Sequence, residues 1–104
     1  MSEERGGERG AAHARDVGPV LDASEGGRAV LVAILQSNGS VEVVDRGAYA
    51  RVLVPMRCAV TRCAIEAALG RPFSFPADLE AVMPAFKGFL HMDDERVEWR
   101  CERV

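Results

Sequence analysis

The sequence has little of what catalytic and nucleic-acid-binding domains usually display. Its 104 residues hold only 2 histidines and 3 cysteines. His13 and His91 are too far apart to form a metal-binding pair, Cys58 and Cys63 do not make a CxxC, and Cys101 is distant from both. An odd cysteine count without close repeats also argues against a secreted disulfide framework, so these thiols are read as structural. Basic residues (13) do not outnumber acidic ones (16), and no basic stripe is available for a phosphate backbone. Nucleic acid is therefore not an expected partner. No run approaches the roughly 20 apolar residues needed to cross a bilayer. The opening MSEERGGERGAAHARD is charged and Gly-rich without an apolar stretch, which is not the pattern of a secretory leader. A reducing, cytoplasmic setting is the expectation. GxSxG, P-loop and GxGxxG patterns are missing, and GGERG neither follows a strand nor opens a helix. The acidic run Asp93-Asp94-Glu95 lacks EF-hand spacing and reads as a solvated turn.

What is present is an ordinary globular balance, 48% apolar and 28% charged, in a chain of one-domain length. Residues 1–15 lack any element-forming pattern and are expected to form a flexible tail before a domain over 16–104. VGPVL (17–21) is short and extended because Pro19 fixes φ and biases Gly18 away from helix. Asp22 or Ser24 can cap a helix running to about Ser37, with Asn38-Gly39 supplying left-handed conformations at its end. Gly26 and Gly27 each weaken that helix by about 1 kcal/mol relative to Ala, so packing must hold it. Val41 to Val54 reads as a hairpin turning at Asp45-Arg46-Gly47, followed by a short strand from Arg57 to Val60 with Cys58 and Val60 inward. Thr61 caps RCAIEAAL, with Ile65, Ala68 and Leu69 on one face and Gly70 at its end. PADLEAVM (76–83) gives a second short helix. KGFLHM and RVEWRC form a last hairpin whose Val97, Trp99 and Cys101 face inward, while Arg96, Glu98, Arg100 and Glu102 face water. The result is an α+β fold, a single compact domain of mostly antiparallel strands in hairpins packed with about three short helices.

RAVLVAILQ, the body of the first helix, is apolar at every position between Arg28 and Gln36. At about 100° per residue, Val30, Leu31 and Ile34 cluster with Gly27 as a core stripe, while Ala29, Val32 and Gln36 fall on the opposite side. Two readings are open: a helix sandwiched between sheet and tail, or one that docks flat on a partner. The stretch Asp45 to Arg51 places Arg46, Tyr49 and Arg51 on one edge, residue types enriched at interface hot spots and equally at home on a hairpin rim.

VGPVL, the Asn38-Gly39 turn, VEVVDRGAYARV, Thr61-Arg62 before a helix ending in LGRPF, and the closing FKGFLHMDDERVEWR match a family pattern in order and spacing. The chain resembles the effector, or coupling or regulatory, protein of soluble bacterial multicomponent diiron monooxygenases, over about residues 16–101. The match is nearest the branch serving toluene and related aromatic or alkene monooxygenases. The methane monooxygenase regulatory protein B and the phenol hydroxylase regulatory component belong to the same family. Residues 28–39 depart from that branch by a shorter, less acidic helix and SNG in place of an Asn-Pro-Gly-type turn. The resemblance implies a cofactor-free, non-catalytic protein, monomeric when free, that binds the diiron hydroxylase component above its metal centre. It also implies remodelling of the hydroxylase active site, coupling of NADH-derived electrons and O2 to hydroxylation or epoxidation, and possible alternation with a ferredoxin or reductase on the same face. The expected docking residues are Ala29, Val32, Ala33 and Gln36, with Asn38 after them and Arg46 and Tyr49 nearby. The alternative is a stand-alone small-molecule-binding or enzymatic α+β domain using His91, Tyr49 and Arg51, which requires a pocket that unites them.

Overall fold

The computed structural model describes residues 14–101. The element order is β1 (Asp16–Asp22), α1 (Glu25–Ser37), β2 (Glu42–Asp45), β3 (Tyr49–Pro55), β4 (Arg57–Thr61), α2 (Arg62–Leu69), α3 (Ala77–Val82), β5 (Ala85–Lys87), β6 (Phe89–Met92) and β7 (Arg96–Arg100). Every strand pairing is antiparallel, in a four-stranded sheet ordered β2-β3-β1-β5 and a three-stranded sheet ordered β4-β7-β6. This is the expected α+β architecture. The tail expectation falls outside the described residues except at 14 and 15, which form the turn into β1.

Alternation in the strands decides what each sheet buries. Val17, Leu21, Val52 and Val54 of the first sheet and Cys58, Val60, Val97 and Trp99 of the second meet in one core with Ala29, Val30, Ala33 and Ile34 of α1. Ile65 of α2, Phe73, and Leu79 and Val82 of α3 close it. Ala68, expected beside Ile65, is exposed, because only part of the α2 face reaches the core. Ser24 is the N-cap of α1, accepting from the Gly27 N–H at 3.1 Å, and Thr61 does the same for α2 through the Ala64 N–H.

Three local expectations are corrected. Asn38 does not end α1 in a left-handed conformation: its φ is −132°, and the positive φ in this turn belongs to Ser40. The Asn38 side chain ends the helix instead, Nδ2 donating to the carbonyls of Ile34 (2.9 Å) and Ala59 (2.8 Å) and Oδ1 accepting from the Ala59 N–H (3.1 Å). One amide thus ties α1 to β4. Asn38→Ala should lower stability by about 2 kcal/mol through the unpaired groups it leaves, and Asn38→Asp by more, since it sets a carboxylate against two carbonyls; urea denaturation of the three proteins checks the order.

KGFLHM is not one strand. Gly88, at φ 111°, breaks it, so Lys87 pairs with Gly18 in the first sheet while Phe89 pairs with Arg100 in the second. The third correction concerns Glu98. It lies on the outward side of β7 as the alternation requires, yet it is buried, since arginines from its own strand and from β4 cover it.

Candidate docking surface

The exposed positions of α1 are Glu25, Arg28, Val32, Leu35, Gln36 and Ser37, and all but the terminal Ser37 lie on one stripe. Val32 and Leu35 in that stripe remain 41% and 47% exposed. Beside the first half of the helix stands the β2–β3 turn. Asp45 Oδ1 accepts from the Gly47 N–H at 2.8 Å, and the Arg46 N–H donates to the Tyr49 carbonyl at 2.8 Å, with Gly47 at φ 85°. The turn is therefore held by its own backbone and the Asp45 side chain, and the Arg46 and Tyr49 side chains are left on the outside, Tyr49 50% exposed. A small pocket of about 50 Å³ joins the two elements, lined among others by Arg28 and Leu31 from α1 and by Asp45 and Tyr49 from the hairpin.

Of the seven docking positions expected from sequence, Val32, Gln36, Arg46 and Tyr49 are exposed. Ala29 and Ala33 are not on the outer side of the helix; both are buried in the chain's own core. The helix is covered over a wider arc than a single sheet would cover, because it packs on α2 as well as on β1 and β4. Small side chains there allow that close approach. Asn38 is half-buried and its side chain is occupied with Ile34 and Ala59, so it is not an open contact. Leu31, expected in the core, packs at its border.

Sequence periodicity gives no sign of the ion pairs that surround α2 and reach the start of α1. Arg62 at the start of α2 donates to the Asp94 carbonyl and pairs with Glu66 and Glu95, and Glu66 Oε2 accepts from the Phe73 N–H at 2.8 Å. Arg71 reaches Glu25 in the first turn of α1 at 3.0 Å. The LGRPF segment therefore touches the start of α1 through this exposed ion pair and through the buried Phe73 ring beside Gly26, a contact that no local periodicity announces.

The alternative constellation is not assembled. Tyr49 and Arg51 line an open groove on the outer face of the four-stranded sheet with Val20, Glu42 and Val44, whereas His91 lies on β6 of the other sheet, near Asp93 and Arg96. Burial pushes the Cys58 thiol up to about 12, with the nearby Arg57 charge opposing, so it stays protonated at neutral pH and is not a nucleophile. Among the described residues no group of three His, Cys, Asp or Glu side chains gathers to hold a metal ion, and no helix is long and apolar enough to cross a membrane.

Comparison with known proteins bears on this arrangement. The model of the MmoB/DmpM family matches residues 15–100. The effector subunit of the alkene monooxygenase system of Xanthobacter autotrophicus (strain ATCC BAA-1158 / Py2) is 40% identical over 85 residues, which span 80% of this chain and 83% of that one. Two chains from structures of the phenol hydroxylase–regulatory protein complex share the fold. One has a TM-score of 0.72 at 19% identity, covering 82% of this chain and 95% of its own. The other has a TM-score of 0.68 at 23% identity, covering 81% and 99%.

Proposed function

Because the chain belongs to the MmoB/DmpM family, we propose that it is the non-catalytic effector of a multicomponent monooxygenase, binding the diiron hydroxylase component through α1 and the β2–β3 turn. The observation that carries the docking face is the stripe of Val32 and Leu35 beside the rigid turn bearing Arg46 and Tyr49, apolar and aromatic side chains that the fold leaves uncovered. Aromatic and arginine side chains are the usual anchors of such contacts. The 40% identity to an alkene monooxygenase effector supports the same partner class. The domain over 16–104 carries the contact, and the setting is the cytoplasm, where NADH supplies the electrons.

An effector without a reactive group acts only by binding one hydroxylase state more tightly than another. A difference of about 1–3 kcal/mol shifts such an equilibrium by roughly 5- to 150-fold. That is enough to redirect substrate and oxygen access and to couple electron delivery to hydroxylation or epoxidation. A ferredoxin or reductase that uses an overlapping area of the hydroxylase would then alternate with this protein.

The test is to titrate the pure protein into diiron hydroxylase with its electron donors and hydrocarbon substrate. Product formation, and product per NADH consumed, should rise to an optimum near one effector per hydroxylase active site. Unchanged rate and unchanged coupling across the titration overturn the reading.

A further inference from the structure

The outward face of the β4-β7-β6 sheet carries a cluster that docking through α1 leaves unused. Residues directly opposed in antiparallel strands share a face. The registers therefore lay out Arg57, Arg100 and Phe89 in one row, Ala59, Glu98 and His91 in the next, and Thr61 with Arg96 in a third. Glu98 sits in the middle, its carboxylate held by Arg57 Nη2 (2.6 Å), Arg96 Nη2 (2.7 Å) and Arg100 Nε (2.7 Å).

One carboxylate meets three guanidiniums, so the cluster carries two positive charges in excess within a chain of formal charge −3. The hydrogen bond from Arg57, joined by that from Arg100, holds Glu98 at about 2 against the opposing effect of burial, so its charge is constant at neutral pH. Two of the three acids in the turn at the sheet's edge, Asp93 and Glu95, are already engaged. Asp93 Oδ1 accepts from the Glu95 and Arg96 N–H groups, and Glu95 pairs with Arg62. The three arginine side chains are each about half exposed, and Glu98 aligns them by taking one nitrogen of each. A planar guanidinium has five donors, suited to two-pronged pairing with further carboxylates. At the end of the first row Phe89 is 57% exposed, an apolar anchor beside the charges.

We propose that this face is a second docking surface, for a protein surface bearing clustered carboxylates around an apolar spot. A phosphate polymer is the poorer fit, because the three arginines form one compact cluster with an apolar side chain at its end, not the extended basic stripe that a phosphate backbone takes. The inward side of β4 packs against α1, so the face points away from the helix, and a partner seated on α1 leaves it open.

The experiment is a backbone amide NMR titration of the full chain at low salt with three probes: a glutamate-rich peptide containing one phenylalanine, its glutamine counterpart, and a short DNA duplex. The glutamate peptide should shift resonances of β4, β6 and β7, the effect should fade at high salt, and the glutamine peptide should shift none of them. An Arg57→Gln/Arg100→Gln variant should bind about tenfold more weakly, the effect expected when charge partners are removed from a contact. The map on the unaltered protein stands even if that variant folds poorly. Shifts centred on α1, no shifts in the second sheet, or DNA bound as tightly as the peptide would each overturn the proposal.

Discussion

Val32→Glu should weaken activation of the hydroxylase about 30-fold or more while leaving the protein folded. Val32 lies within the exposed stripe of α1, between Arg28 and Gln36 one turn to either side and beside Leu35. In the free protein a glutamate at an exposed helical position changes stability by no more than about 0.5 kcal/mol. Against a partner surface the same carboxylate must lose its water, and an uncompensated charge in a contact costs about 2–4 kcal/mol, which is roughly 30- to 1000-fold in affinity. The difference between those two figures makes the variant informative. Tyr49→Ala and Arg46→Ala on the adjacent turn should each weaken activation about tenfold, as interface truncations of these residue types do. The measurement is the effector concentration giving half-maximal hydroxylase stimulation, with thermal melts of the free variants alongside. A folded Val32→Glu protein that activates at the same concentration as the parent chain would remove α1 from the contact.

Much of this surface could be foreseen, and the parts that could not share a cause. The β2–β3 hairpin, the cap at Thr61, Ser24 as one of two candidate caps, and the inward positions Cys58, Val60, Val97 and Trp99 depend on neighbours close in the chain or on simple alternation, and they are legible in the sequence. The wheel puts Ala29 on the outer side, and the expected docking set adds Ala33, because a helical wheel takes one layer of neighbours as given. Here α2 supplies a second layer, and it begins at Arg62, well beyond the end of α1 at Ser37. Glu98 fits the alternating pattern of a wet strand face, but Arg57, 41 positions earlier, turns that face into a covered ion cluster. Asn38 next to glycine has the composition of a turn, while its bonding partner Ala59 is 21 positions away. In each case the deciding group is distant in sequence, and periodicity carries no information about it.

The same distinction between local preference and distant neighbour predicts opposite outcomes for two adjacent glycines at the start of α1. Alanine at either position should gain about 1 kcal/mol of helix propensity. At Gly26 the added Cβ would meet Val82 Cγ1 at 3.2 Å and Phe73 Cε1 at 3.5 Å, side-chain atoms that can shift slightly. The gain should largely survive there, leaving Gly26→Ala neutral or slightly stabilising. At Gly27 the Cβ would stand 2.2 Å from the Asp22 carbonyl oxygen and 2.6 Å from Asp22 Oδ1. Neither can yield easily. The carbonyl belongs to the last residue of β1, and the carboxylate is engaged with the Ser24 N–H and hydroxyl at the helix cap. Only Ala23 and Ser24 connect β1 to α1, so the helix has almost no slack with which to back away. Overpacking of this kind costs about 1–3 kcal/mol in side-chain cores, and more is expected where the obstacle is backbone. Gly27→Ala should therefore be destabilising by a net of about 2 kcal/mol, lowering Tm by roughly 10 °C for a domain of this size. Because the strain lifts the helix that carries Val32 and Leu35, the variant should also activate hydroxylase less well at temperatures where it remains folded. Thermal melts and activation titrations of the two variants decide the matter. If Gly27→Ala proves as stable as Gly26→Ala, the close approach of α1 to β1 is not what sets the position of that helix.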